Sequence, residues 1–245
     1  MRVSQRSVLT GICVLLTCFS GQAAAKKAPT PKTVDAGSFG VYVNGQRVAT
    51  ERFEIQQQED GSVATSELQT ENTGENMKQK ARLQIAPDGA LRRYEWHELS
   101  PGKAEDVVEP SEQFLVEHIT PEPPAKPQDQ PFLMPISTAI LDDYFFSQRE
   151  ILVWRYLAEG CGGTITPTCK LSKTQYGVVI PRQVTSATIS LEYAGTEQVT
   201  IRGTVHTLSR INLTTDTEEW VLYLDQNLKL QRIVIPGQNT EILRD

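Results

Sequence analysis

The sequence predicts a mainly β protein: a wide antiparallel sheet of roughly eleven strands, curled as a half-barrel around one long helix. Three observations lead there. Short runs of alternating apolar and polar residues recur along the chain, separated by turn chemistry such as Asn44-Gly45, Asp60-Gly61 and Asp88-Gly89. One stretch, after residue 135, carries a helical period through several turns. No block returns at a fixed spacing, which argues against a propeller or a solenoid.

Taken in order, the first 25 residues read as a secretory signal. Arg2 and Arg6 precede an apolar run from Val8 to Phe19, and Ala23-Ala24-Ala25 supplies the small residues, with cleavage expected after Ala25. The apolar run is shorter than the roughly 20 residues a membrane span needs. Cys13 after Ile12 and Cys18 after Thr17 fit a lipoprotein acceptor poorly. The chain is therefore expected in the periplasm or outside the cell. Residues 26–37 are polar, contain two prolines, and read as a flexible leader. Residues 38–245 are expected to form a single domain.

The first strands fall at 38–44, 46–57, 62–70, 78–86 and 90–98, with others near 103–109 and 112–119. In "VYVNGQRVATERFEI" the Asn44-Gly45 pair signals a two-residue hairpin. Pairing across it sets Val41 opposite Val48 and Gly40 opposite Ala49. Phe39, Val41, Val43 and Val48 then face inward, and Gly40 and Ala49 lie on the outer face, where a curved sheet bends. In "ALRRYEWHEL" the Tyr94 and Trp96 side points inward. Consecutive strands at this spacing pair as an antiparallel meander.

Residues 119–135 are too rich in proline for a central strand or a helix interior and read as a loop. A helix follows at about 136–158. Ile136, Ile140 and Tyr144 form one row, Leu141, Phe145, Leu152 and Tyr156 another, and Gly160 is placed to end it. So wide a stripe suits a plug, with the strands before the helix pairing with those after it. The latter are expected at 176–181, 184–194, 197–214, 217–225, 228–236 and 239–244, with hairpins at Ala194-Gly195 and Gln226-Asn227.

Two of the four cysteines leave with the signal. Cys161 and Cys169, in "CGGTITPTC", read as a disulfide. A redox pair would sit closer together, and a metal site would need more ligands with a histidine nearby.

Catalytic patterns are missing. There is no Gly-x-Ser-x-Gly, no His-Glu-x-x-His, and no phosphate loop, since Gly162-Gly163 precedes no Lys-Ser/Thr. His97, His118 and His206 sit in strand patterns without partners at ligand spacing. Asp142 and Asp143, read as helical, would point about 100° apart and could not form a facing dyad. One is expected to be exposed and the other to accept hydrogen bonds, from Gln148 or a strand backbone. Arg47, Arg52, Arg92 and Arg93 read as solvated strand faces rather than an anion site, and the Asn212-Leu213-Thr214 sequon as chance. The formal net charge of -6, with no basic stripe, argues against nucleic acid and anionic membranes. No enzyme activity, metal or cofactor is expected, and no transmembrane segment.

What remains is a crowd of large apolar side chains. Phe39, Val41, Tyr94, Trp96, Phe145, Trp154 and Trp220 are the candidate lining of a cavity between helix and sheet. The expected function is non-enzymatic binding of an apolar ligand such as a lipid or an acyl chain. The alternative is a cell-envelope structural or interaction protein with a filled core. A continuous apolar cavity of about 300 Å3 or more favours the first.

The segments "GSFGVYVNGQRVATERFEI", "ILDDYFFSQREILVWRY", "GVVIP" and "WVLYLDQNLKLQRIVIPGQNTEILRD" resemble a group of uncharacterised exported bacterial proteins, common in acidobacteria-like genomes. That group is similar in architecture to β half-barrel, or clam, proteins, among them the Lol-type lipoprotein carriers. The resemblance implies a sheet curled about a helix and a lipid-holding interior. It carries over no site residue.

Overall fold

The computed structural model describes residues 30–71, 74, 76–163, 165 and 169–245. The expected signal and the first part of the leader lie outside them. Before the helix come β1 (Lys32–Val43), β2 (Gln46–Gln58), β3 (Gly61–Thr70), β4 (Lys78–Ile85), β5 (Leu91–Ser100), β6 (Glu105–Ser111), β7 (Phe114–Thr120), β8 (Gln128–Phe132) and β9 (Ala139–Ile140). The helix is α1 (Ser147–Cys161). After it come β10 (Thr174–Ile180), β11 (Thr185–Ile201), β12 (Thr204–Thr214), β13 (Glu219–Leu224), β14 (Leu230–Ile235) and β15 (Thr240–Arg244).

The strands form one sheet of fifteen, where roughly eleven were expected, in the order β8-β7-β6-β5-β4-β3-β2-β1-β15-β14-β13-β12-β11-β10-β9. Neighbours are antiparallel except β9 on β10. As the sequence suggested, the strands before and after the helix pair with each other, here through β1 and β15. The sheet does not close, and β8 and β9 are its edges. The two arms nonetheless approach, since Leu91 N–H at the start of β5 donates to Ile136 O just ahead of β9, at 2.8 Å.

The first hairpin turns at Asn44 (φ 51°) and Gly45 (φ 78°), the left-handed pair a type I′ turn needs. Its register differs from the simple expectation. A bulge between Val41 and Tyr42 shifts the pairing, so Val41 faces Ala49 and Gly40 faces Thr50. A shift by one residue turns a side chain to the other face. Ala49 therefore joins Val41 in the buried core instead of lying outside with Gly40. The space at Gly40 belongs to an arginine: a Cβ there would stand 2.9 Å from Arg47 Cζ and 3.0 Å from Tyr42 Cε2. That guanidinium donates to Asp245 at 3.0 and 2.8 Å and to Thr50 Oγ1 at 2.7 Å.

Other differences have equally local causes. β1 begins at Lys32, inside the expected leader, because residues 32–37 pair with β2 as far as Gln57. The helix starts eleven residues later than expected. Ala139 and Ile140 add to β10 opposite Val178 and Val179, and Leu141 N–H donates to Val179 O at 3.0 Å. Sheet pairing so uses the groups a helix would have needed. At its other end α1 continues to Cys161 and is capped by left-handed Gly162 (φ 62°), whose N–H reaches Ala158 O at 3.0 Å. Gly160 lies within the helix, where a Cβ would meet Leu171 Cδ2 at 2.5 Å. Cys161 and Cys169 are paired, with Cα atoms 5.5 Å apart, a span typical of a disulfide.

The Gln226-Asn227 turn is present between β13 and β14. Ala194-Gly195 is not a hairpin but a bulge in β11, with Gly195 at φ 97°, and the chain reverses at Arg202-Gly203 instead. The β11–β12 hairpin thus runs on past the end of β13. Val199 and Leu208 of this extension pack on Val221 and Tyr223 as a small separate apolar cluster. Leu222 and Leu224, alternating with those two, belong to the main core, so the extension covers the opposite face of the sheet. Its tip ties to Asp245 through Arg202 at 2.8 Å.

Candidate ligand cavity and its polar floor

Helix α1 opens with Ser147, Gln148, Arg149 and Glu150, and all four are buried. Successive helical residues point about 100° apart, so four of them sweep nearly a full circle. The start of α1 is therefore enclosed on every side, where a polar group without a partner is costly.

Glu51 of β2, itself fully buried, supplies the helix cap. Its carboxylate accepts from Phe146 N–H at 2.7 Å and Ser147 N–H at 3.4 Å. It also accepts the hydroxyls of Ser147 at 2.8 Å and Ser66 at 2.7 Å. The residue at the helix N-cap, Phe146, makes no side-chain cap of its own. Burial pushes the pKa of Glu51 up, and these hydrogen bonds oppose the shift without cancelling it.

Asp142 precedes the helix and is fully buried. It takes an ion pair from Arg182 Nε at 2.7 Å and a hydrogen bond from the Tyr94 hydroxyl. Its backbone N–H donates to Gln148 Oε1 at 2.7 Å, so Gln148 serves Asp142 as an acceptor rather than as the expected donor. Asp143 is less buried and accepts from Gln183 Nε2 at 2.7 Å. Arg182 also reaches Gln79 Oε1 at 2.8 Å and stacks over Tyr144 and Trp96, at 4.7 and 5.5 Å from the ring centres. Two further carboxylates stand near Asp142. Burial first, then repulsion from Asp142, raises Asp106 to about 6. Burial, then Asp106 and Asp142, raises Glu117 to about 8, and its two oxygens have no hydrogen-bond partner among the described residues.

Beside the N-terminal end of α1 lies a cavity of about 840 Å3. Val41, Val48, Ala49 and Leu68 line it from one half of the sheet, and Val178, Ile189, Leu213 and Ile235 from the other. Phe146, Arg149 and Trp220 also border it, and Thr185, Thr215, Asp216, Thr217, Glu218 and Gln238 add polar groups. A second cavity, of about 680 Å3, includes Leu83, Leu91, Ile151, Leu152 and Trp154.

The structure separates the seven residues singled out in the sequence. Val41 and Trp220 line the larger cavity, and Trp154 lines the second while donating to Leu228 O at 2.7 Å. The other four lie in the packed core. Phe39 stacks on Phe53 at 4.9 Å, Tyr94 serves Asp142, Trp96 donates to Gln79 at 3.2 Å, and Phe145 lies under Arg182. The sequence reading missed Glu51 and Arg149. The usable signal was the polar run Ser147–Glu150 at the head of a helix otherwise apolar enough to be enclosed. Of the histidines, His97 and His118 meet Glu105 and Asp129 at 3.1 and 2.7 Å. No group of three metal-ligating side chains occurs among the described residues, and none of their helices is long and apolar enough to cross a membrane.

No family model matches the chain, and no curated protein matches it. Among solved structures it is similar to a β-barrel-like protein from Brucella abortus, a domain of unknown function called DUF1849. The TM-score is 0.52 at 7% identity, over 86% of this chain and 94% of that one. A likeness at this identity concerns the fold alone: the chain has a β-barrel-like fold.

Proposed function

We propose that this is an exported, non-enzymatic binding protein that holds an apolar ligand, a lipid or acyl chain, beside the N-terminus of α1, within a sheet curled as a half-barrel. The observation that carries the reading is the larger cavity. Its 840 Å3 exceeds the roughly 300 Å3 at which small-molecule sites begin, and both arms of the sheet line it with aliphatic side chains. The carboxylates whose pKa is raised, Glu51, Asp106, Glu117 and Glu150, are not among the residues lining it. That supports binding over acid–base chemistry. The export part of the reading is supported by the basic, apolar and small-residue pattern of residues 1–25.

A fluorescent fatty-acid probe tests it. The wild-type protein should bind the probe at micromolar concentration, and Val41→Trp, which places a large ring in the cavity, should weaken that binding severalfold. If wild type binds no probe at that concentration, the carrier reading fails and the envelope interaction reading replaces it. Export is tested separately by the mass of protein recovered from a bacterial periplasm, which should correspond to a chain beginning at Lys26.

A further inference from the structure

Arg149 differs from every other well-buried cation in the described residues. Arg182 is ion-paired with Asp142, and Arg244 and Lys229 with Asp35. Arg149 is only 4% exposed, yet no carboxylate of the described residues lies within ion-pairing distance. One guanidinium nitrogen, Nη1, donates to the carbonyls of Asp142 and Phe145, the latter at 3.2 Å. Nε has no partner. The guanidinium carbon lies 4.7 Å from the ring centre of Trp220 and 5.7 Å from that of Phe146, within cation–π range of both. These three side chains all border the cavity.

A buried donor without an acceptor is costly, and a buried charge without a counter-ion more so. Folding has nevertheless fixed this one at the wall of a space lined largely by aliphatic side chains, with Asp143, Asp216 and Glu218 also on its border. The wider field offers partial compensation: Asp143, Asp142 and Glu51 all favour the charged form, although burial outweighs them and lowers the pKa. None of them makes the direct contact.

We propose that Arg149 is the head-group site of the cavity and binds the carboxylate of a fatty-acid-like amphiphile, whose chain lies along Val41, Leu68, Val178 and Leu213. The assignment rests on the apolar-ligand reading and adds the chemistry of the ligand's polar end. A compact, singly charged group suits the site best. Nη1 is committed to two carbonyls and Nε is sealed from solvent, so Nη2 is the corner left to the cavity, and it can take one carboxylate through a charge-assisted hydrogen bond. A phosphate monoester brings a further charge and a third oxygen, for which the site has no further cation. The two carbonyls that hold Nη1, with the neighbouring rings, restrict the guanidinium before the ligand arrives, which lowers the entropy lost on binding.

The test compares cis-parinaric acid, its methyl ester and the alkyl phosphate of the same chain, at neutral pH, on the wild-type protein, Arg149→Met and Arg149→Lys. A charge-assisted contact of this kind is worth about tenfold or more in affinity. Wild type should therefore prefer the acid to the ester by about that factor, and to the phosphate as well. Arg149→Met should collapse the acid-to-ester ratio to near one, and Arg149→Lys should restore part of it. Equal binding of acid and ester by wild type overturns the head-group assignment and leaves the cavity reading standing. This arm does not depend on either variant folding. Tighter binding of the phosphate overturns the choice of carboxylate. Binding of none of the three removes the apolar-ligand reading, and this assignment with it.

Discussion

Replacing Glu51 should cost several kcal/mol of stability, about 3–5 for truncation to alanine. The carboxylate takes four donors: two backbone N–H groups at the head of α1 and the hydroxyls of Ser66 and Ser147. In Glu51→Ala the two hydroxyls retain each other, since their oxygens already stand 2.9 Å apart. The Phe146 and Ser147 N–H groups lose their acceptor in a place water does not reach. Each orphaned buried donor costs about 1–3 kcal/mol. Loss of the negative charge at a helix N-terminus adds about 0.3–2 kcal/mol. Against this, the carboxylate is no longer held in a site that raises its pKa, which returns part of the loss. The expected net destabilisation is about 3–5 kcal/mol, in the range for breaking a buried network. Glu51→Gln keeps one acceptor oxygen and should lose about 1–2 kcal/mol, the scale of a single cap. Urea unfolding at pH 7, followed by far-ultraviolet circular dichroism and tryptophan fluorescence, measures both. A loss under about 1 kcal/mol for Glu51→Ala, with an unchanged denaturant slope, would refute the view that β2 caps the helix.

Glu117 offers a test through pH. Its folded pKa of about 8 lies above the ordinary carboxylate value of 4.5, so the folded state holds the proton more tightly. Stability on this account is greatest at acid pH and declines as pH rises through that window. Glu117→Gln should be near neutral at pH 5 and stabilising by about 2–4 kcal/mol at pH 8, measured by urea unfolding at the two pH values. Equal effects at both would contradict the assignment. Gly45→Val meets no atom within 4 Å but must hold φ near 78°, which should cost about 1–3 kcal/mol by thermal unfolding. A neutral result would mean that the turn tolerates a branched side chain. Changing Cys161 and Cys169 together to Ser opens a loop of sequence separation 8 and should cost about 2–3 kcal/mol without loss of fold. Unfolding of the variant at room temperature would show that the bond does more than tether a loop.

Strand alternation and turn chemistry made most of the sheet legible, because each strand carries its own period and each turn its own residues. The Asn44-Gly45 turn and the inward Tyr94 and Trp96 followed from such local signals, while the pairing of the two strand sets was expected from topology without the strands that make it, β1 and β15. Where local signals compete, the reading failed. The row Ile136, Ile140 and Tyr144 suits a helix, but Val178 and Val179 offer an edge to pair with, and a distant partner outweighs the local period. Ala194-Gly195 looked like a turn, and only the partner strand shows that it is a bulge. The cavity was anticipated as a space bordered by aromatics, yet most of the chosen aromatics are committed to core packing and buried hydrogen bonds. Which polar residue faces an empty space depends on how two distant arms of the sheet come together around α1. No local pattern of the sequence encodes that.

Among the described residues this wide meander has fourteen strand pairings, and each end of the strand order presents an edge strand to which another chain could add. Both are poor templates. β8 is five residues long, and at Pro131 the backbone has no hydrogen to offer a visitor. β9 spans two residues, and it is attached in the parallel sense to a sheet otherwise built antiparallel. A neighbouring molecule approaching either rim would find too few free groups in register to start a ladder. The proline-dense crossing from β7 to the helix therefore guards the two ends of the strand order against contagion between copies: each closes in a strand that offers little to copy outward.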